Sequence, residues 1–71
     1  MDGYAARAAD VRRVPVVLPV DGVVPAARTQ PRALQPGTLI RIMTGAPLPN
    51  GADAVVPVEQ TEPVGDRVRV L

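Results

Sequence analysis

Short apolar runs interrupted by proline and glycine make up most of the chain, and their spacing is typical of β-strands. Residues 67–70 alternate polar and apolar side chains, the pattern of a strand with one face covered. Residues 38–42 form a β-type run, and the valine-rich residues 52–59 form another. Pro57 fits that strand only at a sheet edge or a bulge, because proline has no N–H to donate. The pattern predicts a mostly β fold of about five short strands.

Two segments leave the local structure open. In residues 2–10 the alanines favour a helix by propensity, with Asp2 as a possible N-cap, whereas the alternation of Tyr4, Ala6 and Ala8 favours a strand. In residues 14–24 the prolines exclude a helix. Asp-Gly between apolar runs is a strong type I′ turn signal, which predicts a hairpin of two short strands there.

The connections are marked by turn residues. Residues 28–36 have little periodicity and two prolines, so we expect an exposed connection. Pro36-Gly37 predicts a type II turn before the strand at residues 38–42. Residues 63–66 predict a turn, which would let Glu59 and Glu62 meet the arginines of residues 67–70 in surface ion pairs worth little stability.

A stiffened loop follows residues 38–42. Gly45 can adopt a positive φ, while Pro47 and Pro49 fix their own φ and restrict the residue before them. Such a loop at a strand end offers the Thr44 hydroxyl and several backbone N–H groups to a ligand. A proline-rich turn that only joins two strands explains the same residues.

Length and composition bound the architecture. The 71 residues allow one domain, without cysteine or histidine to provide a disulfide or a soft metal site, and with Tyr4 as the single aromatic residue. The core must be built from aliphatic side chains and is thin. We therefore expect the chain to be marginally stable alone and to need more chain or a partner.

The charge pattern argues against two classes of partner. Eight arginines stand against five Asp and two Glu, which gives a net charge of +1 without a basic patch or interleaved aromatic residues. We expect neither nucleic acid nor membrane binding, since prolines and arginines also interrupt every apolar run. A signal-peptide pattern is missing from the first residues, so the default expectation is cytoplasmic.

The chemistry left to the chain uses oxygen atoms. Without Cys, His or Lys there is no thiolate, imidazole or amine nucleophile. Carboxylates such as Asp2, Asp53, Glu59 and Glu62, together with the Thr44 hydroxyl, suit Mg²⁺ shared with a substrate phosphate.

Two separate signatures resemble one family. Met-Asp-Gly-Tyr-Ala at residues 1–5, and Arg-Ile-Met-Thr-Gly-Ala-Pro-Leu-Pro at 41–49 followed by Gly-Ala-Asp-Ala-Val-Val at 51–56, are similar to molybdopterin molybdenumtransferases of the MoeA type, which include the gephyrin E domain. The resemblance favours an extended segment at residues 2–10 and one kinked strand over residues 18–24. Pro-Ala-Ala at 25–27 departs from the Ala-Gly turn common in the family.

The resemblance implies a fold and an activity. Residues 1–71 would be a single incomplete domain, the β-rich lobe inserted in a longer subunit. The family joins molybdate to adenylylated molybdopterin with release of AMP, using Mg²⁺ whose ligands would lie mostly outside this chain. In a homodimer this lobe would form one wall of the cleft between subunits, and the chain alone would not turn over.

The same resemblance suggests site residues. Asp2 and Thr44 match the family's functional aspartate and threonine, as catalytic candidates. The N–H groups of Gly45 and Ala46 would bind an oxyanion, and Arg41 would meet a phosphate. Against these stand structural roles: a turn or cap for Asp2 and Asp53, a turn hydrogen bond for Thr44, and a solvent-facing position for Arg41. A free-standing β interaction module without chemistry is the alternative function.

Overall fold

Six strands form a single sheet in the part of the chain that the structure describes. The computed structural model describes residues 2–24, 33–43 and 45–71. The strands are β1 (Gly3–Ala6), β2 (Val16–Val24), β3 (Leu39–Ile42), β4 (Ala54–Pro57), β5 (Thr61–Val64) and β6 (Arg67–Val70), with 3-10 turns at Ala8–Asp10 and Val58–Gln60. Their order in the sheet is β4-β1-β3-β2-β6-β5. The mostly β class is confirmed, with six strands where about five were expected.

The long strand β2 joins the two halves of the sheet. Its first part pairs antiparallel with β6 and its last part pairs parallel with β3. From Val20 to Val23 the strand advances three residues while β3 advances two, from Leu39 to Arg41, so β2 carries a bulge. Gly22 lies inside this bulge at φ +96°. The kinked single strand is therefore correct, and the hairpin at Asp21-Gly22 is wrong, because each part of β2 has a different partner strand.

Strand β1 lies between β3 and β4 and is buried along its whole length. This confirms the extended prediction over Gly3–Ala6, whereas Ala8–Asp10 forms a 3-10 turn. Small residues suit this central position. A Cβ added to Gly3 would lie 2.8 Å from the carbonyl oxygen of Val56 on β4, so only glycine fits at the start of the strand.

The buried side chains form two clusters, one on each face of the β1–β3 region. The first joins Tyr4, Ala6, Leu39 and Val56 to Val68 and Val70 of β6, so the two halves of the sheet curl over it. The second contains Ala5, Leu34, Ile40 and Ile42, with Ala46 and Ala52 packed against it. The loop after β3 and the segment before it therefore cover the outer face of the sheet.

Leu34 corrects the expectation of an exposed connection over residues 28–36. Its side chain is buried, and its N–H donates to the Asn50 carbonyl oxygen at 2.7 Å. Gly51 follows at φ +92°, and a Cβ there would lie 2.9 Å from the Leu34 carbonyl oxygen. A leucine in a segment without periodicity is buried here because the loop after β3 folds over it. Residues 28–32, and the Pro-Ala-Ala segment, lie outside the described residues.

The structure has a turn at both positions where the sequence predicts one. Thr38 N–H donates to the Gln35 carbonyl oxygen at 3.3 Å and Gly37 has φ +76°, the pattern of a type II turn. The turn predicted over residues 63–66 is shorter, because Pro63 and Val64 belong to β5 and only two residues join the strands. Strand β4 lies at a sheet edge and ends at Pro57, as the proline requires.

Candidate functional site

The two signature segments meet at one end of the sheet. Strands β1 and β3 are antiparallel, with Gly3 opposite Ile42. Asp2 therefore precedes the first residue of β1 at the point where β3 ends and residues 43–46 begin. Strand β4 also ends here, since Pro57 pairs with Gly3. We call this end of the sheet, with Asp2, Met43, Gly45 and Ala46, the site end.

Arg41 connects the site end to the first cluster. It lies opposite Tyr4 across β1 and β3, and its guanidinium carbon lies 5.5 Å from the centre of the Tyr4 ring. Its Nη2 atom lies 3.6 Å from Oδ2 of Asp2. The two charged side chains keep 34% and 38% of their surface accessible, so the ion pair is reachable from solvent. Arg41 does not simply point away from the protein.

Asp2 is also held through its backbone. Its carbonyl oxygen accepts a hydrogen bond at 3.3 Å from the N–H of Val58, the first residue after β4. Asp2 precedes a strand, so the structure offers it no α-helix to cap. The site end therefore fixes the main chain of Asp2 on one side and presents its carboxylate to Arg41 on the other.

The loop after β3 turns away from this pair. Ala46 N–H donates to the Met43 carbonyl oxygen at 2.9 Å, and the Ala46 side chain packs on the second cluster, across the sheet from Tyr4. That N–H is engaged within the loop and does not point to a ligand in this conformation. Gly45 is exposed at φ +83°, with open space where a side chain would be. Thr44 lies outside the described residues.

Asp53 and Asp10 have structural contacts. The Ala8 N–H donates to Oδ1 of Asp53 at 2.6 Å, and the Asp53 N–H donates to the Ala6 carbonyl oxygen at 3.1 Å. Asp10 ends the 3-10 turn at Ala8–Asp10, and its Oδ2 atom accepts the Gly37 N–H at 2.8 Å. No local pattern signals this bond, because its partners are 27 residues apart.

Among the described residues, the acidic side chains are dispersed. Within residues 2–24, 33–43 and 45–71, no three His, Cys, Asp or Glu side chains are grouped closely enough to hold a metal ion. Glu62 pairs with Arg69 across the β5–β6 hairpin, as expected for a surface pair. Among the described residues, no helix is both long and apolar enough to cross a membrane.

Comparison with known families decides the relationship. The family model described as "MoeA N-terminal region (domain I and II)" matches residues 1–70. The chain belongs to the MoeA family. Molybdopterin molybdenumtransferase 2 of Mycobacterium tuberculosis is 51% identical over 74 aligned residues, which cover 99% of this chain and 18% of that protein. Molybdopterin molybdenumtransferase of Nostoc sp. is 44% identical over the whole chain and 17% of its own length.

Solved MoeA structures have the same fold. Two structures of the molybdopterin biosynthesis MoeA protein of Pyrococcus horikoshii superpose with TM-scores of 0.87 and 0.88, at 39% and 36% identity. They cover 99% and 100% of this chain but only 19% and 20% of the Pyrococcus chains. The chain thus spans about a fifth of the MoeA proteins it matches.

Proposed function

We propose that this chain is the β-lobe of a molybdopterin molybdenumtransferase, an enzyme of molybdenum cofactor biosynthesis. The reaction joins molybdate to adenylylated molybdopterin and releases AMP. The lobe contributes one wall of a cleft between the subunits of a homodimer, and the larger part of the enzyme contributes the other. We further propose that this enzyme is cytoplasmic, acts on small molecules, and binds neither nucleic acid nor a membrane.

The observation that supports this proposal is the convergence of both signatures at the site end. Residues as far apart as Asp2 and Arg41 form an ion pair there, at 3.6 Å, and the loop with Gly45 starts beside them. A partly exposed carboxylate and an exposed glycine at the same end of the sheet suit a wall that faces a polar substrate. A sheet that served only as a scaffold would not need both signatures at the same end.

In this proposal each residue has a limited task. Asp2 orients a water molecule or a substrate amine with its carboxylate. Thr44 donates its hydroxyl to an oxyanion such as molybdate, with the Gly45 N–H beside it. Ala46 shapes the loop, because its own N–H is bonded to Met43.

Magnesium is the cofactor that the proposal takes from the family. The described residues do not fit a complete Mg²⁺ site, since they lack a group of three acidic ligands. We therefore propose that its ligands come mostly from outside this chain.

The test is a chimera. The segment of M. tuberculosis molybdopterin molybdenumtransferase 2 that aligns with this chain is replaced by residues 1–71, and AMP release from adenylylated molybdopterin is measured with molybdate. We expect turnover by the chimera and a loss of about a hundredfold in Asp2→Asn, the size typical of a lost acid–base group. Asp66→Asn, in the β5–β6 turn, is the matched control and should keep full activity.

The outcomes separate the candidates. A chimera that is soluble and has the parent's oligomeric state but no turnover would contradict the proposal and support the β interaction module. Full activity in Asp2→Asn would keep the enzyme but remove Asp2 from its chemistry. The strand edges give the interaction module little support, because β4 and β5 each contain a proline that weakens pairing with another chain.

A further inference from the structure

We propose that Arg41 binds a planar heterocycle of the substrate by stacking, and not a phosphate through its edge. The proposal names the part of the substrate that meets the site end, and to that extent it rests on the proposed function. Its structural part is a stacking surface formed by Tyr4, Arg41 and Val23, and this part depends only on the geometry of the sheet.

The three residues of the stacking surface form a row across the sheet. Tyr4 on β1 pairs with Arg41 on β3, and Arg41 pairs with Val23 on β2. Residues directly opposite each other on neighbouring strands share one face of the sheet. Exposure rises along the row, from 8% for Tyr4 to 34% for the Arg41 side chain and 53% for Val23. The row therefore leads from the first cluster to solvent.

The guanidinium of Arg41 is supported on one side. It lies over the Tyr4 ring, with 5.5 Å between its central carbon and the centre of the ring. The ring is buried and covers this side, so the accessible surface of the guanidinium is left to the opposite side. Arginine stacks on aromatic rings through its plane, and an ammonium group has no such plane. The open side of Arg41 is thus a platform for a flat ring.

The edges of the same guanidinium are poorly placed for a phosphate. A bidentate contact uses two parallel N–H groups, either from Nε and Nη2 or from the two terminal nitrogens. The Nε atom is buried and has no hydrogen-bond partner among the described residues. The Nη2 atom, which both contacts require, lies 3.6 Å from Oδ2 of Asp2. A phosphate bound there would lie against the negative charge of that carboxylate.

Val23 provides the apolar part of the surface. A half-exposed valine beside a cation suits a flat ring, which loses water easily, better than a strongly hydrated phosphate. Adenylylated molybdopterin has two flat heteroaromatic rings, the pterin and the adenine, and both have the chemistry that this surface accepts. A matched pair without aromatic support lies in the other half of the sheet, where exposed Val17 pairs with Arg69.

Nuclear magnetic resonance of labelled valine methyl groups tests the stacking surface without any activity. The 71-residue chain is titrated with adenosine, with pterin and with inorganic pyrophosphate. A ring stacked on Arg41 shields the Val23 methyl protons, so we expect a saturable upfield shift with at least one of the two rings. We expect no such shift at Val17, and none at Val23 with pyrophosphate. A shift with adenosine alone would identify the adenine, and one with pterin alone would identify the pterin.

Two lysine variants separate the plane of the arginine from its charge. Arg41→Lys keeps the charge but removes the plane, so we expect the affinity for the ring to fall about tenfold, the size of a lost stacking contact. Arg69→Lys is the matched control and should leave the affinity unchanged. An unshifted Val23 with both rings, unchanged ring affinity in Arg41→Lys, or pyrophosphate binding that Arg41→Lys retains would each overturn the proposal.

The chimera gives an independent readout. We expect Arg41→Lys to raise KM for adenylylated molybdopterin about tenfold with little change in kcat, because stacking on a distant ring stabilises ground state and transition state alike. A lowered kcat with unchanged KM would overturn the proposal. An inactive chimera would contradict the proposed function instead. The Val23 methyl shifts, which are also measured in the chimera, would still decide whether Arg41 stacks on a ring.

Discussion

Substitution of Gly3 by alanine tests the close approach of β1 to β4. Gly3 does not have a positive φ, so an alanine there meets no conformational penalty. The added Cβ would lie 2.8 Å from the Val56 carbonyl oxygen and 3.2 Å from Cγ1 of Val55. The Val55 side chain is half exposed and can move, but the carbonyl oxygen is part of β4 and cannot move without the strand.

The size of the effect follows from this geometry. A contact below 3.0 Å forces β1 and β4 apart, and overpacking of this kind typically costs about 1–3 kcal/mol. In a domain of this size, each kcal/mol lowers Tm by roughly 4–8 °C. Thermal and urea unfolding of Gly3→Ala, followed by far-UV circular dichroism, measures the loss.

Two controls identify the cause. Val55→Ala in the Gly3→Ala background removes the side-chain contact but leaves the carbonyl contact, so we expect little recovery. Gly37→Ala adds a methyl group in open space at φ +76°, so its loss, about 1–2 kcal/mol, is purely conformational. Stability of Gly3→Ala within about 0.5 kcal/mol of the wild type would refute the tight β1–β4 approach, since that is the range of ordinary surface substitutions. Recovery by Val55→Ala would assign the cost to the side chain instead.

Three further predictions concern single contacts. Gly51→Ala combines φ +92° with a carbonyl oxygen 2.9 Å from the new Cβ, so urea unfolding should show a loss of at least about 2 kcal/mol; a neutral effect would mean that the loop does not clamp Leu34. Asp10→Ala leaves the Gly37 N–H without its acceptor, so amide exchange at Gly37 should accelerate and stability fall by about 1–3 kcal/mol; unchanged exchange would contradict the bond. Glu62→Gln should cost less than about 1 kcal/mol at low salt, because its pair with Arg69 is largely solvated; a larger loss in thermal unfolding would contradict a surface role.

The sequence was sufficient to predict the fold class and most of the turns and strand ends. Period-two alternation, valine-rich runs and prolines predicted a mostly β chain, because these features exclude long helices locally. Pro36-Gly37 predicted the type II turn, and Pro57 predicted that its strand lies at a sheet edge. Both predictions use a property of the residue itself: glycine tolerates a positive φ, and proline lacks an N–H. The two signatures also predicted the family, which the comparisons establish.

Other local patterns were overruled by long-range pairing. Asp21-Gly22 has the composition of a hairpin turn. It forms a bulge instead, because the first part of β2 pairs with β6 and the last part pairs with β3. Leu34 stands in a segment without periodicity, between Ala33 and Gln35, and is buried because residues 50–51 fold over it. Which strand lies beside another is decided by the packing of the whole sheet, and no short window of sequence contains that information.

The residues of the candidate site and their arrangement in space also come from different sources. The resemblance to the family named Asp2, Thr44, Gly45, Ala46 and Arg41, because each lies in a contiguous motif that can be read in the sequence. Only the tertiary structure brought Asp2 within 3.6 Å of Arg41 and set the guanidinium over Tyr4. Only the structure turned the Ala46 N–H back to Met43. The physical reason is that the chemical groups of a residue are given by its side chain alone. Its contact partners depend on strand register and sheet curvature, which are set by contacts between residues far apart in the chain.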